Sequence, residues 1–246
     1  MKILAIIPAR MGSRRFPGKP LALINNKPMI GHVYKNVSEC QLLNKTVVAT
    51  CDEEIADYVT SIGGEAVMTS SSHERASDRS AEALTFLEKK YETKYDIIVM
   101  VQGDEPMTHP DMIDEAVKPM LKDSSINVVN LYADIKNDSE FNDRNCIKVV
   151  IDRYDDAMYF SREPIPHKKK GSDISMKKQV CIIPFTRDFL FKYQNMHPTP
   201  LEIAESIDMM RILENGYKVR MVHTHHETQA VDTKEDLEKV QLLMSK

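Results

Sequence analysis

Four cations and two glycines crowd one short stretch, Ile7-Pro8-Ala9-Arg10-Met11-Gly12-Ser13-Arg14-Arg15-Phe16-Pro17-Gly18-Lys19-Pro20-Leu21. Arg10, Arg14, Arg15 and Lys19 supply the charge, and Gly12 and Gly18 let the backbone come close to a ligand. A loop with that density of cations and open N–H groups suits a polyphosphate. It is not the phosphate loop of ATPases. The spacing from Gly12 to Gly18-Lys19 is one residue too long for that motif, and Pro20 stands where a hydroxyl side chain would hold magnesium. The dinucleotide-binding glycine pattern is absent too. The plainer alternative is a solvated basic loop, but such loops rarely follow a buried strand with two glycines and two prolines among them.

If the loop does not hold a metal, carboxylates must come from elsewhere. The run Val101-Gln102-Gly103-Asp104-Glu105-Pro106 closes an apolar strand, so Asp104 should emerge at the same sheet edge as Arg10. Near the end of the chain, Ala230-Val231-Asp232-Thr233 precedes a helical segment. Asp104 and Asp232, with phosphate oxygens and water, can complete an octahedral magnesium site. Asp232 has a competing role. Thr233 or Asp232 followed by Glu235 or Asp236 also reads as a helix cap, and spacing alone leaves both open.

The elements that would position these residues alternate in type. Ile3–Pro8, Thr46–Thr50, Ala66–Met68, Ile97–Val101 and Asn127–Leu131 read as buried strands, and Lys148–Ile151, Gln179–Pro184 and Lys218–His223 as further ones. Met29–Ser38, Glu53–Ile62, Ser80–Tyr91, Pro110–Leu121, Pro200–Glu214 and Lys234–Met244 read as helices. Such alternation predicts an α/β fold, a mainly parallel sheet flanked by helices, with a small, partly antiparallel lobe. The lysine-rich segment Glu163–Met176 reads as a loop. We expect one domain over residues 1–246, in which roughly residues 145–225 form the lobe.

Composition narrows the function classes. The 246 residues carry 33 basic and 37 acidic side chains, a net charge of −4 that gives no footprint for nucleic acid. No apolar run approaches the roughly 18–20 residues of a membrane span, and the apolar part of MKILAIIPAR is too short for a secretory signal. Four scattered cysteines, Cys40, Cys51, Cys146 and Cys181, suit a reducing cytoplasm better than a disulfide framework or a zinc site. His223, His225 and His226 read as a polar strand end, and the Lys168–Lys170 run as a solvated one. The fifteen methionines are spread along the chain and read as core filling.

The run IPARMGSRRFPGKPL resembles the signature of the 3-deoxy-manno-octulosonate (Kdo) cytidylyltransferase family, which makes CMP-Kdo from CTP and Kdo. Further similarities follow in family order: VATCDEEIA, ASDR, MVQGDEP, NCIKVV, YFSREPIP, PTPLEIAESIDMMRILENGYKV and VDTKEDLEKV. The resemblance covers nearly the whole chain. It implies a Rossmann-like nucleotidyltransferase that is a cytoplasmic homodimer, needs Mg2+ and serves lipopolysaccharide biosynthesis.

Residue by residue, the resemblance implies that Arg10, Ser13, Arg15 and Lys19 hold the triphosphate of CTP and that Pro8 and Ala9 present backbone groups to the cytidine. It places Arg79 and Gln102 at the cytosine and the neighbouring substrate, and Asp104 and Asp232 on magnesium. Arg10, Arg15, Lys19 and Asp104 would carry the chemistry. Lys148, Arg162, Gln102 and Gln179 would meet the acidic acceptor, with Glu202 and Glu205 near its hydroxyls.

The acceptor side departs from the family. Where the family usually reads His-x-Gly-x-Tyr, this chain has Gln179-Val180-Cys181-Ile182-Ile183. Met209 replaces a glutamine, Cys51 an aspartate, and Arg75-Ala76-Ser77-Asp78-Arg79 stands for Ser-Gly-Thr-Asp-Arg. Three alternatives follow. Another acidic acceptor (an amino-Kdo, another 2-keto-3-deoxy acid or a phosphonate) is one, and a catalytically silent nucleotide-binding protein is a second. A glycosyltransferase is the third, and it is weakened because no Asp-x-Asp run accompanies Asp104.

Overall fold

The computed structural model describes every residue except Arg14, Lys168, Lys170, Ser172 and Lys246. Arg14, one of the four loop cations, and both ends of the Lys168–Lys170 run therefore lie outside the described residues.

Strand β1 (Ile3–Pro8) is buried at every position, as its unbroken apolar run predicts. A 3₁₀ turn at Lys19–Leu21 and a hairpin of β2 (Leu23–Ile24) and β3 (Lys27–Pro28) follow the cationic loop. The chain then alternates through α1 (Met29–Ser38), β4 (Lys45–Thr50), α2 (Glu53–Ser61), β5 (Ala66–Met68), α3 (Ala76–Lys90), β6 (Ile97–Val101) and α4 (Pro110–Lys122). Next come β7 (Val129–Asp134), α5 (Asp138–Asn142), β8 (Lys148–Ile151), β9 (Ala157–Ser161), β10 (Lys177–Val180) and β11 (Ile182–Thr186). Helices α6 (Arg187–Gln194), α7 (Pro200–Glu205) and α8 (Asp208–Glu214), strand β12 (Arg220–His223) and helix α9 (Lys234–Leu243) complete the order.

Two five-stranded sheets result. The first runs β11-β6-β1-β4-β5, parallel except for β11, and the second runs β12-β7-β10-β8-β9, mostly antiparallel. Side chains of β1 alternate between two cores. Leu4 and Ile6 pack with residues of α3, α6 and α8, whereas Ile3, Ala5 and Ile7 pack with α1, α2 and α4. The α/β expectation holds, and the partly antiparallel lobe is the second sheet.

The order of the first sheet fixes where a ligand belongs. From β1 the chain proceeds outward to β4 and β5, then returns to the other side of β1 as β6. The carboxyl ends of β1 and β6 thus flank a topological switch point, the crevice where open α/β sheets bind ligands. Gly103 makes that crevice tight, because a Cβ there would lie 3.0 Å from the Pro8 carbonyl oxygen.

Three expectations are corrected. The Gln179–Pro184 strand is two strands, β10 and β11, which leave each other at Cys181 and join different sheets. The Pro200–Glu214 helix is broken into α7 and α8 by Ser206, whose φ of 53° is left-handed. The strand expected at Asn127–Leu131 instead spans Val129–Asp134. Patterning also missed β2, β3, α5, β9 and α6, which at eight residues or fewer are too short to establish a period.

The α7–α8 break is braced by buried charge. Glu202, fully buried, accepts both Nε and Nη2 of Arg211 at 2.7 Å and pairs with Arg75 Nη1 at 2.8 Å. Removing one member of such a group leaves charge unmatched in the core, a loss of about 3–5 kcal/mol. Glu202→Ala is therefore expected to shift the denaturant midpoint down by that amount of stability; an unchanged midpoint would overturn this view of the brace.

Candidate active site

The cationic loop leaves β1 with its start pinned. Ala9 N–H donates to the Ala49 carbonyl at 3.0 Å, and Met11 N–H to Asp52 Oδ2 at 2.8 Å. The loop then closes on itself, since the N–H groups of Ser13 and Gly18 both reach the Met11 carbonyl, at 2.9 and 3.0 Å. Gly18 at φ 75° takes the left-handed turn that leads into Lys19. Pro8, Ala9, Arg10, Ser13, Arg15 and Lys19 all line one cleft of about 1040 Å³, room enough for a nucleotide and a second substrate together.

Opposite the loop stand the two carboxylates. Lys19 Nζ lies 2.7 Å from Asp104 Oδ2 and 3.4 Å from Asp232 Oδ1, and Arg15 Nη2 lies 2.8 Å from Asp232 Oδ1. Residues separated by more than two hundred positions in sequence are thus joined, and the Val231 N–H to Asp104 carbonyl bond at 2.9 Å ties their backbones. Burial alone would push the Lys19 ammonium down, but the charges of Asp104 and Asp232 and the hydrogen bonds it donates to them hold it above the ordinary lysine value. Burial, with Asp104 beside it, pushes Glu105 up to about 8.

The capping question over Asp232 is decided by geometry. Thr233 caps α9, its Oγ1 accepting from Asp236 N–H at 3.2 Å, while Asp236 Oδ2 reaches back to Thr233 N–H at 3.0 Å. The Asp232 carboxylate takes no part in that box. Asp104 Oδ1 is buried and has no hydrogen-bond partner. An anionic oxygen left so, beside a second carboxylate, fits a hard divalent cation.

Arg79 also lines the cleft but is only 2% exposed, its guanidinium donating to Thr69 Oγ1 and to the His73 carbonyl at 3.4 Å. Gln102 joins it, its N–H bonded to the Cys181 carbonyl at 3.2 Å. Gln179 of β10, Ile183 of β11, Met209 of α8, Cys181 at the crossing between the sheets and Arg162 just past β9 also line the cleft.

A cytidylyltransferase family model matches residues 4–227. The chain belongs to the cytidylyltransferase family. Among similar curated proteins, the 3-deoxy-manno-octulosonate cytidylyltransferase of Geobacter metallireducens is 45% identical, the match covering 98% of this chain and 96% of that protein. The Fusobacterium nucleatum protein of the same name is 41% identical over 98% of this chain and 96% of its own length. A solved CMP:2-keto-3-deoxy-manno-octonic acid synthetase complexed with CTP superposes with a TM-score of 0.88 at 35% identity, covering 100% of this chain and 99% of that one. A 4-diphosphocytidyl-2C-methyl-D-erythritol synthase from Anaerococcus prevotii, at 13% identity and a TM-score of 0.65 over 100% and 99% of the two chains, shares the fold alone.

In this cytidylyltransferase three residues expected beside the acceptor do not line the cleft. Lys148 is fully buried and its ammonium is consumed by the carbonyls of Asp143, Cys146 and Arg162, at 2.8, 2.7 and 2.6 Å. Glu202 belongs to the buried brace. Glu205 accepts from Ser161 Oγ at 2.7 Å and Arg162 N–H at 2.9 Å, holding β9 to α7. Arg162 does line the cleft, yet its guanidinium donates to the carbonyls of Glu205, Arg144 and Ser206, so it shapes the Ser206 break.

Sequence reasoning passed over the Arg75–Asp208 ion pair, which lines the same cleft. Arg75 was visible as a departure from the family, but its partner lies over a hundred residues away. One further cluster, among the described residues, joins His109, Asp111 and His226 within 4.8 Å. The two imidazoles stack at 4.4 Å with their planes 14° apart, so their in-plane lone pairs run side by side and do not converge on one ion.

Proposed function

We propose that this cytidylyltransferase transfers CMP from CTP to the anomeric hydroxyl of Kdo, releasing pyrophosphate. The observation that carries the reading is the meeting of Arg15 and Lys19 with Asp104 and Asp232 at the switch-point cleft, in a chain close to Kdo cytidylyltransferases along its length. The acceptor oxygen forms a bond to the α-phosphorus as the bond to the bridging oxygen breaks and pyrophosphate leaves, and the hydroxyl proton passes to water. Arg10, Arg15 and Lys19 bind the departing pyrophosphate and offset its growing charge. Pro8 and Ala9 present main chain to the cytidine, with Arg79 and Gln102 at its base, and Ser13 closes the loop around the phosphates. Gln102, Gln179 and Arg162 define the acceptor side.

Asp104 and Asp232 fit Mg2+, which when bound there would screen the α-phosphate and make the acceptor hydroxyl more acidic. We also place the enzyme in the cytoplasm as a homodimer. Four free cysteines support a reducing compartment, and among the described residues no helix is long and apolar enough to cross a membrane. Exposed Met158, Leu201 and Ile203 on β9 and α7 support a self-association surface in the lobe.

The test is pyrophosphate release from CTP and Mg2+ with Kdo, an amino-Kdo, sialic acid and small phosphonates. Kdo is expected to turn over fastest. Faster turnover with another acid would overturn the acceptor, and silence with every acid would overturn the enzyme assignment.

A further inference from the structure

Strand β7 serves both sheets. Its register continues β10 and β12 in the second sheet, while the preceding Val128 bridges Phe185 of β11 in the first. In that junction sits a polar side chain with no exposure, Asn130. Both protons of its Nδ2 are used on main chain, at 2.9 Å from the Leu131 carbonyl and 2.7 Å from the Val180 carbonyl. Those two acceptors fix which way the carboxamide faces, because the reversed group would set its oxygen against two carbonyl oxygens. Oδ1 must then accept, and it accepts from Gln179 Nε2 at 2.5 Å.

The same logic passes to Gln179, which lines the cleft. With one Nε2 proton given to Asn130, the carboxamide is held in one orientation, which leaves Oε1 as its acceptor and the second Nε2 proton as a donor for a cleft-bound molecule. The Val180 carbonyl is open to Asn130 because β10 ends there and the chain crosses at Cys181 to the other sheet. One buried side chain thus holds the strand break under the cleft and sets the orientation of the residue above it.

We propose that Asn130 is a positioning residue which, through Gln179, presents a fixed hydrogen-bond acceptor to the second substrate, so that the site selects an acid carrying a hydroxyl or protonated amine at that point. This rests on the cytidylyltransferase reading above. Among the described residues neither side chain is hydrogen-bonded to Arg10, Arg15, Lys19, Asp104 or Asp232, so the effect is expected on the acceptor more than on CTP.

The test is a double-mutant cycle on acceptor KM, with CTP KM measured in parallel. Gln179→Met and Asn130→Ala are each expected to raise acceptor KM about tenfold, the worth of one well-placed hydrogen bond, with CTP KM within about twofold. The double variant is expected to match Gln179→Met, since Asn130 has nothing left to orient. Additive effects, or CTP KM rising in step, would overturn the relay.

If Asn130→Ala does not fold, the Gln179 side-chain amide signals of the wild type decide, assigned by their loss in Gln179→Met. A protected proton that shifts on adding acceptor but not CTP is expected, and a freely exchanging pair overturns the proposal. Wild type silent with Kdo overturns only the acceptor named above, and the cycle is then read with the acid that turns over. Silence with every acid overturns both readings.

Discussion

Asp104→Asn is expected to lower pyrophosphate release about a thousandfold while the protein stays folded. The carboxylate is the point where the cationic loop and the second strand end meet, with Oδ2 2.7 Å from Lys19 Nζ and Oδ1 buried without a partner. Asparagine keeps the shape but removes the charge and turns one oxygen into an N–H donor, which either faces the Lys19 ammonium or occupies the position that should bind a cation. The main-chain link from Val231 to the Asp104 carbonyl does not depend on the side chain, so the two segments stay together. Steady-state kcat with saturating CTP and Kdo measures the loss. Chelation by EDTA should give a similar drop in the wild type, reversed by Mg2+, and should cost the variant little more. A variant within tenfold of wild type would remove Asp104 from the machinery.

How much of this was legible in the sequence follows from what each residue needs. Strands β1, β4 and β6 are buried on both faces, so their unbroken apolar runs identify them without knowledge of neighbours. The cationic loop was legible because glycine is scarce in this chain and clusters there. The Cys181 crossing was not legible. An apolar run from Val180 to Phe185 reads the same whether it stays in one sheet or changes sheets, and the change depends on β7 and β6 lying alongside. Ser206 has no glycine or proline to mark it, and its left-handed turn is held by Arg162 from across the lobe. Lys148 and Glu202 show a different limit. A charged residue at a motif position reads as a ligand contact, yet three carbonyls engage the lysine and two arginines the glutamate. Asp232 was undecided for a third reason, since both it and Thr233 had the spacing of a cap, and only the reciprocal bonds of Thr233 and Asp236 release it.

Lys19→Met should separate two roles that the free enzyme superimposes. In the unliganded cleft the ammonium lies between Asp104 and Asp232, acting as their counterion. On the function proposed above, a divalent cation held by those carboxylates would displace it and leave phosphate oxygens of the nucleotide as partners for Nζ. Lys19 would therefore compete with metal in the free enzyme and assist the triphosphate in the complex. Its removal is expected to tighten Mg2+ binding to the nucleotide-free protein, because the cation that Asp104 and Asp232 share is then gone. The same change should lower kcat about a hundredfold or more, because the departing pyrophosphate loses a preorganised cation. Arg15 still pairs with Asp232 at 2.8 Å, which keeps that carboxylate in place. Titration calorimetry with Mg2+ and steady-state pyrophosphate release together decide the point. Weaker metal binding in the variant would mean that Lys19 orders the carboxylates and does not compete for them, and an unchanged kcat would confine the residue to the resting state.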